Sequence, residues 1–147
     1  QPLPPSHAPV VSRFLHQAAA GGSLVIAGDG QQTRDFVYID DVVQALVSAA
    51  SAEEVVGSVI NVGSGTEVSI AALTDRIEEV LGRAVHRLFS SEQSGGVKRL
   101  VGDIRRAREL LGYAPTVSLA DGLRMTIQTD ARFAANGSRV AQEAAGD

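Results

Sequence analysis

Short apolar runs that end in turn residues alternate with helical patterns along this chain of 147 residues, and this alternation constrains the fold more than any other feature. Strands are predicted at four of the runs, namely residues 24–27, 36–39, 59–62 and 85–89. Apolar residues spaced three and four apart predict helices over residues 10–20, 41–56, 70–81, 104–111 and 119–134. Alternating strands and helices indicate the α/β class.

Capping residues mark where several of these elements begin and end. Asp40 and Ser69 precede helical patterns and are predicted as N-caps, and Gly82 is predicted to end the helix that follows Ser69. Ser118 and Asp121 have the spacing of a capping box, in which side chains satisfy free N–H groups of the first turn. These signals predict boundaries as well as elements.

Charge and composition exclude several classes of protein. The 13 basic and 17 acidic side chains leave a formal net charge of −4, whereas nucleic-acid binders normally carry a basic face. With no cysteine, the chain has neither disulfides nor cysteine-ligated zinc, and its three histidines are too scattered to suggest a metal site. No apolar run approaches the ~20 residues that span a bilayer, and the N-terminus does not resemble a signal peptide. We therefore expect a cytoplasmic protein that binds neither nucleic acid nor membrane.

The glycines of Gly63-Ser64-Gly65 follow a predicted strand and invite comparison with the dinucleotide-binding fingerprint. That fingerprint requires a third glycine three residues after the second, where this chain has Val68. It also requires an acidic residue ~20 positions further on, and residues 85–87 are not acidic. We therefore interpret the motif as a tight turn between a strand and a helix.

Two adjacent carboxylates, Asp40 and Asp41, could serve as an acid–base pair or as metal ligands. Both fall where a helix is predicted to begin, and negative charge at a helix N-terminus is favourable by roughly 0.3–1 kcal/mol. The structural role is therefore the favoured interpretation. The basic residues between Lys98 and Arg108 are interrupted by an acidic one and are interpreted as a solvated face.

Arg34 lies between the glycine-rich turn at residues 28–30 and the predicted strand at 36–39. An arginine at the mouth of a loop is suited to bind a phosphate through two parallel hydrogen bonds. A salt bridge to Asp35 or Asp29 would account for this residue equally well. The residues alone thus indicate a compact α/β domain with one candidate anion site.

The segment from Gly28 to Asp41, Gly-Asp-Gly-Gln-Gln-Thr-Arg-Asp-Phe-Val-Tyr-Ile-Asp-Asp, resembles the hallmark of the extended short-chain dehydrogenases, the NAD-dependent nucleotide-sugar epimerase/dehydratase family. Further stretches agree with that family in order and spacing, among them residues 60–65, 101–108, 110–115 and 118–123. The resemblance covers roughly residues 1–134 and is greatest toward the UDP-glucose 4-epimerases and their relatives.

The resemblance implies that this chain is the C-terminal, substrate-binding portion of such an enzyme, a small mixed sheet with helices that lacks the Rossmann nucleotide-binding core. On that basis residues 1–134 form the nucleotide-sugar-binding portion. Residues 135–147 are predicted to be a disordered tail, because the sequence there has no apolar periodicity. The family's catalytic Tyr-x-x-x-Lys pair is missing, because a valine stands four residues after Tyr38 and after Tyr113, and Lys98 is the only lysine. No catalytic residue is therefore expected here. NAD, which the complete family enzyme uses, is not expected to bind this chain alone.

The same resemblance assigns the substrate-binding residues. Arg34 matches the arginine that binds the diphosphate of the nucleotide sugar, and the backbone of Val25, Ile26 and Ala27 matches the strand that meets the uracil base. The N-terminus of the first helix, near Val11, is expected to approach the phosphates, as helix N-termini do for anions. The implied ligand is a UDP- or TDP-linked sugar.

Two positions depart from the family pattern. An arginine that reaches phosphate and an aspartate that holds the ribose are replaced here by Gln93 and Gly96. Loss of a charged phosphate contact costs on the order of 1.5–3 kcal/mol. The departure therefore favours a weaker site or a different nucleotide.

In the family, the strand matching residues 59–62 and the helix after Asp40 belong with the Rossmann sheet. Without that sheet, the resemblance implies an exposed apolar patch and an open strand edge, both of which favour self-association or a Rossmann-bearing partner. The alternative to a part of an enzyme is a non-catalytic binding or assembly module derived from the same family.

Overall fold

The structure, a computed structural model, describes residues 8–53, 55–91, 97–130 and 132–133. Within these ranges the chain forms five helices and four short strands. In chain order they are α1 (Val10–Ala19), β1 (Leu24–Ala27), β2 (Thr33–Asp35), α2 (Ile39–Ser51), β3 (Glu67–Ser69), α3 (Ile70–Leu81), β4 (Arg87–Ser90), α4 (Arg105–Leu111) and α5 (Leu119–Thr129). The predicted tail at residues 135–147 lies outside the described residues.

The strands pair two by two. β1 runs parallel to β4, with Leu24 opposite Arg87 and Ala27 opposite Ser90. β2 runs antiparallel to β3, and there Arg34 lies opposite Val68. The α/β class is confirmed, but the described strands form two small sheets rather than the one mixed sheet that was predicted.

The main core lies between α1, α3, α5 and β1. Its largest apolar side chains have no exposed surface, namely Phe14, Leu24, Ile26, Leu73 and Ile77. Full burial of one such side chain stabilises the fold by about 1.5–3 kcal/mol. Leu73 and Ile77 belong to the helical spacing that predicted α3, so the predicted apolar face of this helix is the one that packs into the core.

A second, smaller core joins α2 to α4 through Ala45, Ile104, Ala107 and Tyr113. The Tyr113 hydroxyl is buried and donates a hydrogen bond to the Gly63 carbonyl at 2.8 Å. This bond satisfies the polar end of an otherwise apolar contact. It also fixes the turn at residue 63 against the helices.

Three of the predicted helix boundaries are confirmed. The Ser69 hydroxyl accepts a hydrogen bond from the Ala72 N–H at 3.0 Å, and the Ser118 hydroxyl accepts one from the Asp121 N–H at 3.1 Å. Gly82 ends α3 in the left-handed conformation at φ 64°, which glycine adopts at little cost.

The predicted strand at residues 36–39 is wrong, because β2 covers Thr33–Asp35 and α2 already begins at Ile39. β3 offers only three residues for pairing, and strand-forming side chains make a strand only where a neighbour supplies hydrogen bonds. Asp40 is not the N-cap either. Tyr38 occupies that position without a side-chain capping bond, and Asp40 lies in the first turn of α2.

The predicted strand at residues 59–62 is also wrong, since no strand is assigned there and no described segment pairs with it. Ile60 and Val62 pack against the smaller core, whereas Val59 is 80% exposed. Two helices are shorter than predicted, because α2 ends at Ser51 and α5 at Thr129. The fourth strand is shifted from the predicted 85–89 to Arg87–Ser90.

The predicted exposed apolar patch is present on α2. Ile39, Val43, Leu46 and Val47 recur at helical spacing and are between 46% and 64% exposed. We call these four residues the outer face of α2. Its inner face is closed, because Ala45 packs into the smaller core.

Candidate functional site

The candidate site is built around β2, whose three residues all contact the segment 97–102. The Thr33 N–H donates to the Lys98 carbonyl at 2.9 Å, and Thr33 forms a β-bridge with Arg99. Arg34 Nη1 donates to the Val97 carbonyl at 2.9 Å. The Gly102 N–H donates to the Asp35 carboxylate at 3.0 Å.

The Arg34 guanidinium contacts two neutral carbonyls rather than a carboxylate. Its Nη1 donates to the Thr33 carbonyl at 2.6 Å as well as to Val97. The alternative of a salt bridge to Asp35 or Asp29 is wrong, because Asp29 accepts from the Gln31 N–H and Asp35 from other backbone groups. A guanidinium carries five N–H donors. Most of these donors, and the full positive charge, therefore have no acceptor or counter-ion among the described residues.

The neighbouring Arg99 is arranged differently. Its Nη2 lies 2.6 Å from Oε2 of Glu67, and its Nε donates to both oxygens of that carboxylate at 2.7 Å. Hydrogen bonds from Arg99 and then from Thr33 lower the pKa of Glu67. The charge of Arg99 is thus neutralised by Glu67 of β3. Arg34 is therefore the better placed of the two arginines to bind an anion.

Asp35 is the anion that occupies the glycine-rich turn Gly63-Ser64-Gly65. Its Oδ1 accepts from the Ser64 N–H at 2.8 Å and from the Ser64 hydroxyl at 2.5 Å. Its Oδ2 accepts from the Gly65 N–H at 3.0 Å. Consecutive backbone N–H groups of this kind form an anion-binding nest. Here the nest binds a side chain of the same chain instead of a phosphate.

The pKa of Asp35 is lowered by this environment. Burial acts to raise it, but the hydrogen bonds from the Ser64 hydroxyl and from the Gly102, Ser64 and Gly65 N–H groups outweigh burial. The predicted tight turn from a strand to a helix at residues 63–65 is wrong in both connections. The chain bends at Gly63, but no strand is assigned at residues 59–62, and β3 lies between Gly65 and α3.

The three residues predicted on β1 divide between the core and an open strand edge. The Ile26 side chain is fully buried, whereas Val25 is 40% exposed. The Leu24 N–H donates to the His86 carbonyl just before β4, and the Gly28 N–H donates to the Ser90 carbonyl of β4. The backbone groups of Val25 and Ala27 are therefore turned away from that strand. Two glutamine side chains contact this edge: Gln17 accepts from the Val25 N–H at 3.2 Å, and Gln32 donates to the Ala27 carbonyl at 2.9 Å.

Val11 lies in the lining of a cavity of about 310 Å³. The cavity is bounded by Val11 of α1, the segment 35–38, and the start of α5 from residue 117 to 126. Its lining is mainly apolar. Of the five predicted site residues, Val11 lines this cavity and the other four do not. Gln93 and Gly96 lie outside the described residues.

Asp41 is a buried carboxylate whose role the sequence did not reveal. It is 3% exposed and accepts from the Thr116 N–H at 2.9 Å, the Thr116 hydroxyl at 3.0 Å and the Val117 N–H at 3.2 Å. The interpretation as a helix N-terminus was therefore incomplete, because Asp41 also binds a loop 75 residues away. No local pattern signals a contact at that separation.

Other kinds of site are not supported within the described ranges. No group of three or more His, Asp or Glu residues that could hold a metal ion occurs there. Burial, followed by the charges of Asp41 and Asp35, raises the pKa of Tyr113 and so favours the protonated phenol. None of the helices in this part of the chain is both long and apolar enough to cross a membrane.

A known protein family and several of its members match most of the chain. A family model described as GDP-mannose 4,6 dehydratase matches residues 5–126. UDP-glucuronic acid decarboxylase 1 of Xenopus tropicalis is 39% identical over 118 residues, which make up 80% of this chain and 28% of that protein. UDP-glucose 4-epimerase of Mycolicibacterium smegmatis is 38% identical over 125 residues, or 85% of this chain and 40% of that protein.

A solved structure gives the same result in three dimensions. UDP-glucuronic acid 4-epimerase from Bacillus cereus, in complex with UDP-glucuronic acid and NAD, matches with a TM-score of 0.73 at 34% sequence identity. The match covers 91% of this chain and 40% of that one. The chain thus spans less than half the length of each of these three proteins.

Proposed function

We propose a function for this chain on the premise that it belongs to the NAD-dependent epimerase/dehydratase family of nucleotide-sugar enzymes. It forms the substrate-binding part of such an enzyme and is catalytically incomplete by itself. Its task is to hold the nucleotide diphosphate so that the sugar reaches groups carried by polypeptide outside this sequence. The observation that carries the proposal is the Arg34 guanidinium, which has two neutral carbonyls and no carboxylate as described partners.

Arg34 is proposed to bind the diphosphate. A guanidinium forms charge-assisted, often bidentate hydrogen bonds with phosphate oxygens. The two carbonyls occupy only Nη1, which leaves the Nη2 and Nε groups to donate to the ligand. A fixed guanidinium loses less rotamer freedom on binding than a mobile one, so these two contacts favour affinity.

The edge of β1 is proposed to bind the base. The Val25 carbonyl and the Ala27 N–H lie between the two glutamine contacts and face away from β4. Together they offer an acceptor and a donor, which complement the N–H and carbonyl groups of a pyrimidine-2,4-dione ring. Uracil and thymine share this hydrogen-bonding edge, so both UDP- and TDP-linked sugars fit the proposal. Ile26 contributes by anchoring the strand in the core.

The N-terminus of α1 near Val11 is proposed to face the phosphates, because a helix N-terminus carries partial positive charge. The first turn of α1 supports this proposal, because it has neither an acidic residue nor a side-chain capping bond. The replacement of the family's arginine and aspartate by Gln93 and Gly96 predicts weaker binding than in relatives that retain them.

The chain is proposed to have no NAD site of its own. NAD supplies the hydride acceptor when it is bound to a complete family enzyme. The glycine-rich turn at residues 63–65 does not fit a dinucleotide, because its N–H groups already bind Asp35. The absence of a Tyr-x-x-x-Lys sequence leaves no tyrosine–lysine pair here to take the sugar hydroxyl proton. The residues of this chain bind and orient the substrate.

Isothermal titration of the whole chain with UDP-glucose and TDP-glucose tests the proposal. Arg34→Ala should weaken binding by about tenfold to a hundredfold, the loss expected for a hydrogen-bonded charge worth ~1.5–3 kcal/mol. Arg76→Ala is the matched control, because Arg76 is an exposed arginine paired with Glu79 on α3. Equal affinities in the wild type and Arg34→Ala would contradict the role of Arg34.

A non-catalytic assembly module is the second candidate function, and the outer face of α2 favours it. Four exposed apolar side chains on one helix form the kind of patch that marks an interaction site. The proposed occupant is a Rossmann-bearing chain or a second copy of this one. A cytoplasmic location and the division at residue 134 remain predictions.

A further inference from the structure

Asp35 connects parts of the chain that are far apart in sequence. Its carboxylate accepts hydrogen bonds from the turn at residues 63–65, 29 to 30 positions away, and from the Gly102 N–H, 67 positions away. Each of its two oxygens accepts two hydrogen bonds from the described residues. A carboxylate bonded in this way fixes the segments that carry the donors.

Segment 97–102 is held to β2 at both of its ends. At one end Arg34 Nη1 donates to the Val97 carbonyl, and the Thr33 N–H donates to the Lys98 carbonyl. At the other end the Gly102 N–H donates to Asp35. Side chains of successive residues project to opposite faces of a strand, so Arg34 and Asp35 bind this segment from different faces of β2.

The geometry points to Asp35 as the residue that positions the Arg34 guanidinium for its ligand. Asp35 holds Gly102, the segment 97–102 carries the Val97 carbonyl, and that carbonyl orients Nη1 of Arg34. Asp35 acts through this segment and does not touch the ligand. The inference rests on the function proposed above, because it concerns the same diphosphate site.

Asp35→Asn is the direct test, since it keeps the shape and removes the charge. In either orientation the amide NH₂ meets at least one backbone N–H donor, from Ser64 on one side or from Gly65 and Gly102 on the other. Affinity for UDP-glucose should fall about fivefold to tenfold, the range of one ordered hydrogen bond. Ser64→Ala removes a single donor and serves as the milder variant if Asp35→Asn does not fold.

Asp41→Asn is the matched control. Asp41 is buried, and like the partly buried Asp35 its carboxylate accepts hydrogen bonds from backbone N–H groups and a hydroxyl, but it holds the loop at residues 116–117. A loss of stability alone would therefore affect both variants. If Asp35 positions Arg34, only Asp35→Asn should lower the affinity for UDP-glucose. The Asp41→Asn control should bind UDP-glucose within about twofold of the wild type.

Two further measurements separate positioning from a general structural role. In an Arg34→Ala background, followed by NMR titration, Asp35→Asn should change the affinity by less than about twofold, because the residue through which it acts is gone. Residue-resolved hydrogen exchange without ligand should show lost protection at the Gly102 and Thr33 amides in Asp35→Asn. The Asp41→Asn variant should keep that protection.

The outcomes distinguish the two proposals. A wild-type chain that does not bind UDP-glucose overturns the proposed function, whatever the exchange pattern is. A wild type that binds through Arg34, together with an Asp35→Asn variant that retains its affinity or its amide protection, overturns the role of Asp35 alone. Equal losses of affinity in Asp35→Asn and Asp41→Asn also overturn it.

Discussion

Gly63 packs so closely against Asp35 that a Cβ atom at position 63 would lie 2.6 Å from Oδ2 of that carboxylate. Real Cβ atoms do not approach an oxygen to this distance, and the carboxylate cannot retreat because four donors hold it. Gly63 is not among the glycines with a positive φ. Close approach, and not backbone conformation, is therefore the reason for a glycine here.

Gly63→Ala should lower the free energy of unfolding by about 1–3 kcal/mol, the usual cost of an atom forced into a packed site. Urea denaturation followed by circular dichroism measures the change. Gly102→Ala is the graded control and should cost less, because its Cβ would lie 3.2 Å from the same oxygen. In an Asp35→Ala background the cost of Gly63→Ala should largely disappear; an undiminished cost would mean that another group causes it.

Asp41→Asn should destabilise the fold by about 1–3 kcal/mol, because it leaves a partly buried backbone N–H of Thr116 or Val117 facing another donor. Chemical denaturation at pH 7 gives the value. Asp40→Asn is the neighbouring control, since Asp40 is exposed in the same helical turn and should change stability by less than about 0.5 kcal/mol. Equal effects of the two substitutions would show that helix-terminal charge, rather than the bonds to the loop, accounts for Asp41.

The sequence predicted what depends on neighbouring residues. Ser69 and Ser118 cap their helices as predicted, and Leu73 and Ile77 fill the core, because capping and helical periodicity act within one or two turns. It failed where the outcome depends on distant segments. The run at residues 59–62 has the composition of a strand but no described partner, and the ligand of the 63–65 turn is a carboxylate 29 residues away.

The candidate site follows the same division. Arg34 was identified from its local motif, whereas the choice between an anion site and a salt bridge needed the positions of Asp29 and Asp35. Both carboxylates bind backbone N–H groups instead. The role of Asp35 was missed because nothing in its own surroundings distinguishes it from any other aspartate beside an arginine.

The stability that Asp35 contributes should depend on pH in the acid range. Its pKa is lowered in the folded state from an unfolded value of about 3.9, so its contribution is complete above that value and is lost as the pH falls through the folded pKa. At pH 7 Asp35→Asn should therefore be less stable than the wild type, and the difference should shrink below about pH 4. Denaturant titrations of both proteins at pH 7, 5, 4 and 3 measure it. A difference that is independent of pH would mean that the charge of Asp35 is not what binds the turn.

The outer face of α2 should make the chain associate in solution. Leu46 and Val47 are 64% and 61% exposed, and covering such side chains removes apolar surface from water at about 25 cal/mol per Å². Sedimentation velocity over a range of concentrations should show association of the wild type, and Leu46→Glu should abolish it by placing a charge in the contact. Gln44→Glu adds the same charge at an exposed polar position of this helix and should leave association unchanged. A wild type that stays monomeric at every concentration would exclude a second copy as the occupant and leave the Rossmann-bearing chain as the partner to test.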